Sequence, residues 1–492
     1  MTRVRQFMFA VLALSLAQTG MVVAQDSNSY FATGSQRIEN RPNLESPIID
    51  WQAEQEKTVP PTPAQDAAKD KKDDADSKDA KPEKKEEKKE EKKEEKKEEK
   101  PKEWYEKIKL RGYTQFRYNY QTHYGDGSAP RDHAGDGSIS PDQEFLIRRA
   151  RLIFQGDVGE HLGLYFQPDF ASTPNASVDS IQFTQLRDLY GDVYLDKEKV
   201  HRIRVGQSKI PYGWENLQSS RDRLYLDRND AFNSAAKNER DLGAFYYWTP
   251  KWAQDTFKFI SDEGLKGSGN YGVFGFGAYN GQGGSLREQN DQLHLISRLA
   301  IPFTDRCGRL MEFGIQGYTG NYVVLGTPIS PLGVGAAVSP IGTKGRPFGD
   351  NGKLDQRLGW TYVLYPQPFG FQAEYTIGRG PELNAAQTEV IVDDLHGGYA
   401  MVNYRHQTAC YGELWPFARY QYYRGGYKNA NNSPYSEINE WNLGVEWQIT
   451  KDFELVTEYL ITDRTNLRAL SSGRSYDQFD GNLLRFQFQI NY

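Results

Sequence analysis

From Ile108 to its last residue the chain alternates between apolar and polar positions. The closing stretch LLRFQFQINY (483–492) shows the rule: Leu484, Phe486, Phe488, Ile490 and Tyr492 take every second place, with Arg485, Gln487, Gln489 and Asn491 between them. A period of two belongs to a strand, whose successive side chains leave opposite faces. The pattern recurs and predicts strands near 108–121, 144–156, 161–171, 183–197, 201–210, 241–249, 271–280, 290–303, 311–323, 353–366, 368–379, 395–407, 411–424, 438–449, 452–463 and 481–492. Tight turns such as DVGEH (157–161), TDRCG (304–308), YPQPFG (365–370) and TKD (450–452) follow the even-numbered strands. Long, Gly-rich loops such as 122–143, 211–240, 324–352 and 425–437 follow the odd ones. Only the 250–270 connection is too long for its place in this scheme. An even number of antiparallel strands, with short turns at one end and long loops at the other, is the pattern of an outer-membrane β-barrel. A β-sandwich, the alternative, would not produce that asymmetry. Closure would also give the last strand a partner: pairing with the first removes both edges.

Assigning the more apolar parity of each strand to lipid sends the other parity into the lumen. Leu110, Phe116, Tyr118 and Tyr120 then face out, and Arg111 and Arg117 face in. The same rule points Arg149, Arg151, Arg298, Arg357, Arg405, Arg419 and Arg485 inward, together with Asp192, Glu374 and Glu446. Arginine on the lipid face costs several kcal/mol at mid-depth, so this confinement is expected of any such barrel. Arg148 falls on the lipid parity; a bulge, a position at the membrane interface or a shifted register would each account for it.

The first hundred residues are of another kind. Arg3 and Arg5, the apolar run Phe7–Ala17 and the small residues Val22-Val23-Ala24 read as a signal peptide over 1–24. Residues 25–102 form a low-complexity linker that ends in KKEEKKEEKKEEKKEEK. Its repeat of four sets Glu86 against Glu90 and Lys88 against Lys92, so like charges meet at i,i+4 and a rigid ion-paired helix is not favoured. A solvated segment, disordered or partly helical, is expected, either as a passive spacer or as a contact to the cell wall. The fold class is thus all-β: a 16-stranded antiparallel transmembrane barrel over 103–492, preceded by that linker.

Composition agrees with a barrel and removes other classes. No later stretch reaches the roughly 18 apolar residues of a spanning helix, while 31 Tyr, 25 Phe and 9 Trp are the residues of interfacial girdles. Cys307 and Cys410 are the two cysteines; both fall in predicted periplasmic turns four strands apart, too far for an expected disulfide. Seven histidines lack metal-ligand spacing, the GDG runs at 125–127 and 135–137 read as turn chemistry, and no nucleophile elbow is present. No cofactor, metal, catalytic set or nucleic-acid partner is expected. Residues 101–492 hold 41 Lys and Arg against 45 Asp and Glu, so any preference for anions depends on where the charges lie.

FLIRRARLIFQGDV (145–158), RIRVGQSKIPYGWENLQSSRDRLYLDRNDA (202–231) and the closing strand resemble the phosphate-selective porin O and P family. The resemblance covers residues 105–492. It implies a sixteen-stranded, usually trimeric channel in outer-membrane lipid, and the terminal strand ending in the aromatic Tyr492 resembles the signal read by the barrel assembly machinery. In that family the third loop folds inward and its basic side chains bind the passing phosphate. Here that loop follows Lys209 and carries Arg221, Arg223, Arg228 and Arg240, interleaved with Asp222, Asp227 and Asp230; Arg149 and Arg151 match the Arg-rich second strand on the facing wall. Fixed guanidinium groups at a constriction select anions and bind tetrahedral oxyanions through paired hydrogen bonds. The alternative for each is an ion pair fastening the loop, which is the reading for Arg228 and Arg240 beside their acidic neighbours, whereas Arg221 and Arg149 are expected to serve the pore. The expected function is a passive channel for small anions, phosphate first. The alternatives are a general or sugar-selective pore, or a barrel serving as a cell-envelope tether.

Overall fold

A strand surrounded by lipid must satisfy every backbone N–H and C=O from its neighbours, and closing the sheet on itself is how strands do so. The computed structural model describes residues 103–124, 139, 145–172, 182–284, 286–329, 351–470 and 473–492, and only the backbone of 124, 182–183, 466–470 and 473–479. Among them sixteen antiparallel strands close into a barrel. In chain order these are β1 (Lys109–Tyr124), β2 (Phe145–Asp157), β3 (Leu162–Ser172), β4 (Gln182–Tyr194), β5 (His201–Lys209), β6 (Arg240–Trp248), β7 (Phe274–Tyr279) and β8 (His294–Thr304). The circle continues with β9 (Leu310–Tyr322), β10 (Lys353–Leu364), β11 (Phe369–Leu383), β12 (Val390–Tyr404), β13 (Glu413–Gly426), β14 (Tyr435–Thr450), β15 (Phe453–Leu470) and β16 (Gly473–Asn491). His406–Gln407 extends the β12 edge along β13. The expected signal peptide, the charged linker and the GDG runs lie outside the described residues.

Each strand pairs with its sequence neighbour, and β16 returns to β1 with Phe116 opposite Phe488 and Tyr118 opposite Phe486. The expected alternation holds at this seam: Arg485, Gln487 and Gln489 are buried inward while Phe488, Ile490 and Tyr492 stand exposed outward. The β1–β2 ladder also answers the question of Arg148. Gln115 pairs with Arg149 but Phe116 pairs with Ile147, so Arg148 is the extra residue of a bulge. The bulge resets the parity and lets Leu146 and Arg149 both point inside.

The largest difference from the sequence pattern lies between β6 and β7. After the four-residue helices α1 (Trp214–Leu217) and α2 (Asp230–Asn233) in the loop that follows β5, this connection contains a third helix, α3 (Lys251–Asp262). Pro250 precedes its first turn, and its buried residues Ala253, Phe257 and Ile260 recur at spacings of four and three, the period of one helical face. Gly264 at φ +62° ends the helix, with the Leu265 N–H donating to the Ile260 carbonyl at 2.9 Å.

At the seam, the Gly112 N–H donates to the Tyr492 carbonyl at 2.6 Å, and the Tyr492 N–H donates to the Gly112 carbonyl at 3.0 Å. A Cβ at position 112 would lie 2.4 Å from the Tyr492 ring and 2.5 Å from the Arg151 carbonyl. Gly112→Val should therefore destabilise the folded barrel by about 1–3 kcal/mol. The measurement is the denaturant midpoint in lipid vesicles; an unchanged midpoint would show that closure tolerates bulk here.

Candidate functional site

The loop after β5, residues 210–239, folds into the barrel and is buried over most of its length. It contains α1 (Trp214–Leu217), α2 (Asp230–Asn233) and a 3-10 turn (Lys237–Glu239). Its apolar side chains fill the bore: Phe232 and Tyr212 pack with Tyr318, Leu395 and Tyr423, and Leu224, Tyr225 and Leu226 pack with Tyr399, Met401, Trp415 and Phe417. Its polar groups meet opposite charge on the wall. Glu374 accepts the N–H groups of Trp214 and Glu215 at 2.6 and 2.9 Å. Arg419 pairs with Glu215 at 3.2 Å, and Arg117 and Arg485 pair with Asp227 at 3.2 and 2.6 Å. Arg464 reaches Asp230 at 3.1 Å, and Arg357 donates to the Ala231 carbonyl and Ser234 Oγ, each at 2.8 Å. Arg117, Arg357, Arg419 and Arg485 thus point inward as expected, but they hold the loop rather than open water. Arg298 pairs with Glu312 in the wall at 3.2 Å.

Beneath the loop lies a cavity of about 1210 Å³, bounded mainly by β1–β5 and roofed by Ser219–Asp222. Eleven Lys and Arg line it against seven Asp and Glu, the reverse of the balance in residues 101–492 as a whole. Arg111, Asp192, Arg405, Arg151, Lys209, Arg221 and Arg240 are the expected site residues found on its lining. Arg111, exposed, donates to Gln155 Oε1 at 3.2 Å, and Arg405 pairs with Glu413 at 2.8 Å at the periplasmic rim. Lys209 donates to the Leu217 and Gln218 carbonyls, both at 2.8 Å, pinning the start of the loop. Arg240 is held by Asp188 at 2.9 Å and Glu239 at 2.7 Å. Arg221 faces the cavity with its side chain 39 % exposed, 2.9 Å from Asp222, whose charge holds the guanidinium above its ordinary pKa.

Arg202 and Arg204 also line the cavity, and the parity rule applied to RIRVG (202–206) is the signal that finds them. Arg204 grips Asp192 with two bonds, at 2.8 and 2.9 Å, and lies 3.8 Å from the Tyr190 ring centroid. Tyr190 in turn stacks on Tyr165 at 4.9 Å.

Two guanidinium groups stand apart from all of these. Arg149 is 5 % exposed and Arg223 3 %. Arg149 donates to Gln115 Oε1 at 2.8 Å and Arg223 to the Leu226 carbonyl at 3.2 Å. Arg149 Nε and Arg223 Nε and Nη1 find no acceptor among the described residues. No carboxylate there pairs with either group, and Arg149 is surrounded by the like charges of Arg148, Arg223, Arg151 and Arg117. Burial, then the charge of Arg228, pushes the Arg223 pKa down to about 10. Next to them Arg151 donates to Asp169 at 2.8 Å, to Tyr113 Oη at 2.8 Å and to Ser220 Oγ at 3.3 Å. Gln115 donates to the Ser220 carbonyl at 2.9 Å, so β1, β2 and the loop meet at one place. Arg228 lies deeper in the loop, paired with Glu239 at 2.9 Å.

Residues 116–492 match the family model described as Phosphate-selective porin O and P. No curated protein matches the chain. Among solved structures the fold is similar to OmpT, an outer membrane protein of Vibrio cholerae, in its trimer form, at 10% identity and a TM-score of 0.45, over 78% of this chain and 99% of that one. It is also similar to the outer membrane channel DcaP of Acinetobacter baumannii, at 12% identity and a TM-score of 0.46 over 78% and 97% of the two chains. The anion-selective porin from Comamonas acidovorans aligns at 12% identity and a TM-score of 0.41 over 78% and 99%.

The two kinds of arginine should separate by experiment. Arg419→Met leaves the Glu215 carboxylate buried without its partner and should cost about 3–5 kcal/mol in barrel stability. Arg221→Ala, at a half-exposed pair, should stay within about 1 kcal/mol of the parent. Equal denaturant midpoints for the two variants would contradict this division.

Proposed function

The chain belongs to the phosphate-selective porin O and P family, and from that premise we propose that this outer-membrane channel passes small anions down their gradient, phosphate among them. The observation that carries the reading is the pair Arg149 and Arg223. A buried cation in no direct ion pair with a carboxylate among the described residues, and buried donors without acceptors, are each costly. A tetrahedral oxyanion supplies both the missing charge and the missing acceptors. Arg151 and Arg221 stand beside the pair as the next cations on the route, while Lys209, Arg228 and Arg240 brace the loop that presents it. The basic surplus on the cavity lining raises the local anion concentration below the loop. The acidic balance of the barrel does not oppose this, because Glu215, Asp227, Asp230, Glu374 and Glu458 are engaged with the loop and its wall.

A second reading is favoured by the half-buried tyrosines Tyr165, Tyr190, Tyr194 and Tyr271 on the same lining. Aromatic faces suit rings, so a sugar-selective pore would use this wall. Export by residues 1–24, a periplasmic linker over 25–102 and a homotrimer belong to the same proposal. Native gels and size analysis in detergent would test the trimer.

In planar bilayers under a salt gradient the reversal potential should favour anions, and phosphate should block chloride current. Arg149→Ala and Arg223→Met should each weaken that block by about tenfold, since a charge-assisted bond to an oxyanion contributes roughly 1.5–3 kcal/mol. An unselective potential, with sugars permeating freely, would move the assignment to the second reading.

A further inference from the structure

The connection between β6 and β7, residues 249–273, does not stay at the periplasmic rim. After α3 the chain runs from Glu263 to Asn270 across the lumen. The Lys266 ammonium, 8 % exposed, pairs at 2.7 Å with Glu446, which is fully buried on β14. In a circle of sixteen strands, β14 stands seven to eight places from β6 and β7, close to the opposite wall. Burial opposes the charge on Lys266, but Glu446 and Glu454 outweigh it and hold the ammonium above its ordinary pKa.

The crossing is fastened along its length. Arg405 donates to the Glu263 carbonyl at 2.9 Å, Arg298 donates to the Gly272 carbonyl at 3.1 Å, and Arg202 bonds to the Asn270 carbonyl. Gln218 of the third loop donates to the Lys266 carbonyl at 2.5 Å. Phe257, Ile260 and Leu265 pack with Trp214 of the same loop and with Val363 and Tyr365 of the wall. Residues 257–271 therefore form one side of the cavity whose other side is β1–β5.

We propose that this strap is a second, periplasmic constriction, latched by Lys266 and Glu446, and that it sets the size limit of the channel together with the third loop on which it packs. The inference rests on the chain being a channel and not on which ion passes. The third loop fills the bore from the outer side, whereas the strap occupies the sector in front of β7–β14 from the periplasmic side. A solute crossing the barrel is thereby confined to the basic, tyrosine-bearing wall.

The test uses the full-length barrel in bilayers and in liposome-swelling assays with sugars of increasing size. Lys266→Met and Glu446→Gln should each raise single-channel conductance by about twofold or more and admit larger sugars, because a wider bore conducts more. The reversal potential in the same records reports ion preference separately. A changed size limit with an unselective potential would sink the anion reading and leave the strap. Ser261→Cys, in a Cys307→Ser, Cys410→Ser background, disturbs neither the latch nor the packing, since Ser261 is exposed on the cavity lining. A bulky thiol reagent added from the periplasmic side should cut its current by at least about half. Unchanged conductance and size limit in the folded latch variants, or full current after complete modification of Cys at 261, would overturn the proposal. So would variants that are as silent as a silent parent.

Discussion

The structure depends on the rule that a charge enclosed by protein must meet its opposite. A sixteen-stranded barrel encloses a bore, and the inward parity of its strands carries many arginines. The third loop brings the carboxylates Glu215, Asp227 and Asp230 to Arg419, to Arg117 and Arg485, and to Arg464. These contacts give the loop one position, because a shift of one residue would leave several buried charges unmatched at once. Glu374 adds the reverse case, a wall carboxylate that receives backbone N–H groups of the loop.

Once those pairs are made, the buried cations in no ion pair among the described residues become conspicuous. Arg149 and Arg223 lie among other guanidinium groups with buried donors unmatched among the described residues. Their position follows from two local features: the alternation of β2, which keeps Arg149 on the inward face with Arg151 up to the bulge at Arg148, and the Ser219–Ser220 turn, which docks on Gln115 and Arg151.

The loop and the strap divide the bore unequally. Apolar clusters around Phe232, around Leu224–Leu226 and around Trp214 fill the sector facing β7–β14. The cavity that remains lies against β1–β5, where Arg151, Arg202 and Arg204 alternate with Tyr165 and Tyr190. Selectivity in such a bore is a matter of which wall is left bare, and the net charge of the barrel does not report it.

The fold was legible because lipid imposes one simple demand, an apolar residue at every second position, and the chain meets it strand after strand. The strands themselves and the inward direction of the arginines follow from that demand, and the alternation of short turns with long loops gives their even count and the seam between first and last. The same sequence resembles a porin family, to which the chain belongs. The helix Lys251–Asp262 was legible too, in the spacing of Ala253, Phe257 and Ile260 between Pro250 and Gly264, but only to a reading that changes its period from two to 3.6 residues. Which arginines are neutralised and which are left bare could not be read along the chain. Asp227 meets Arg117 and Arg485, Lys266 meets Glu446, and Glu215 meets Arg419 across hundreds of residues of sequence. Periodicity determines the face of a strand on which a side chain lies; only the folded loop and strap decide what it faces there.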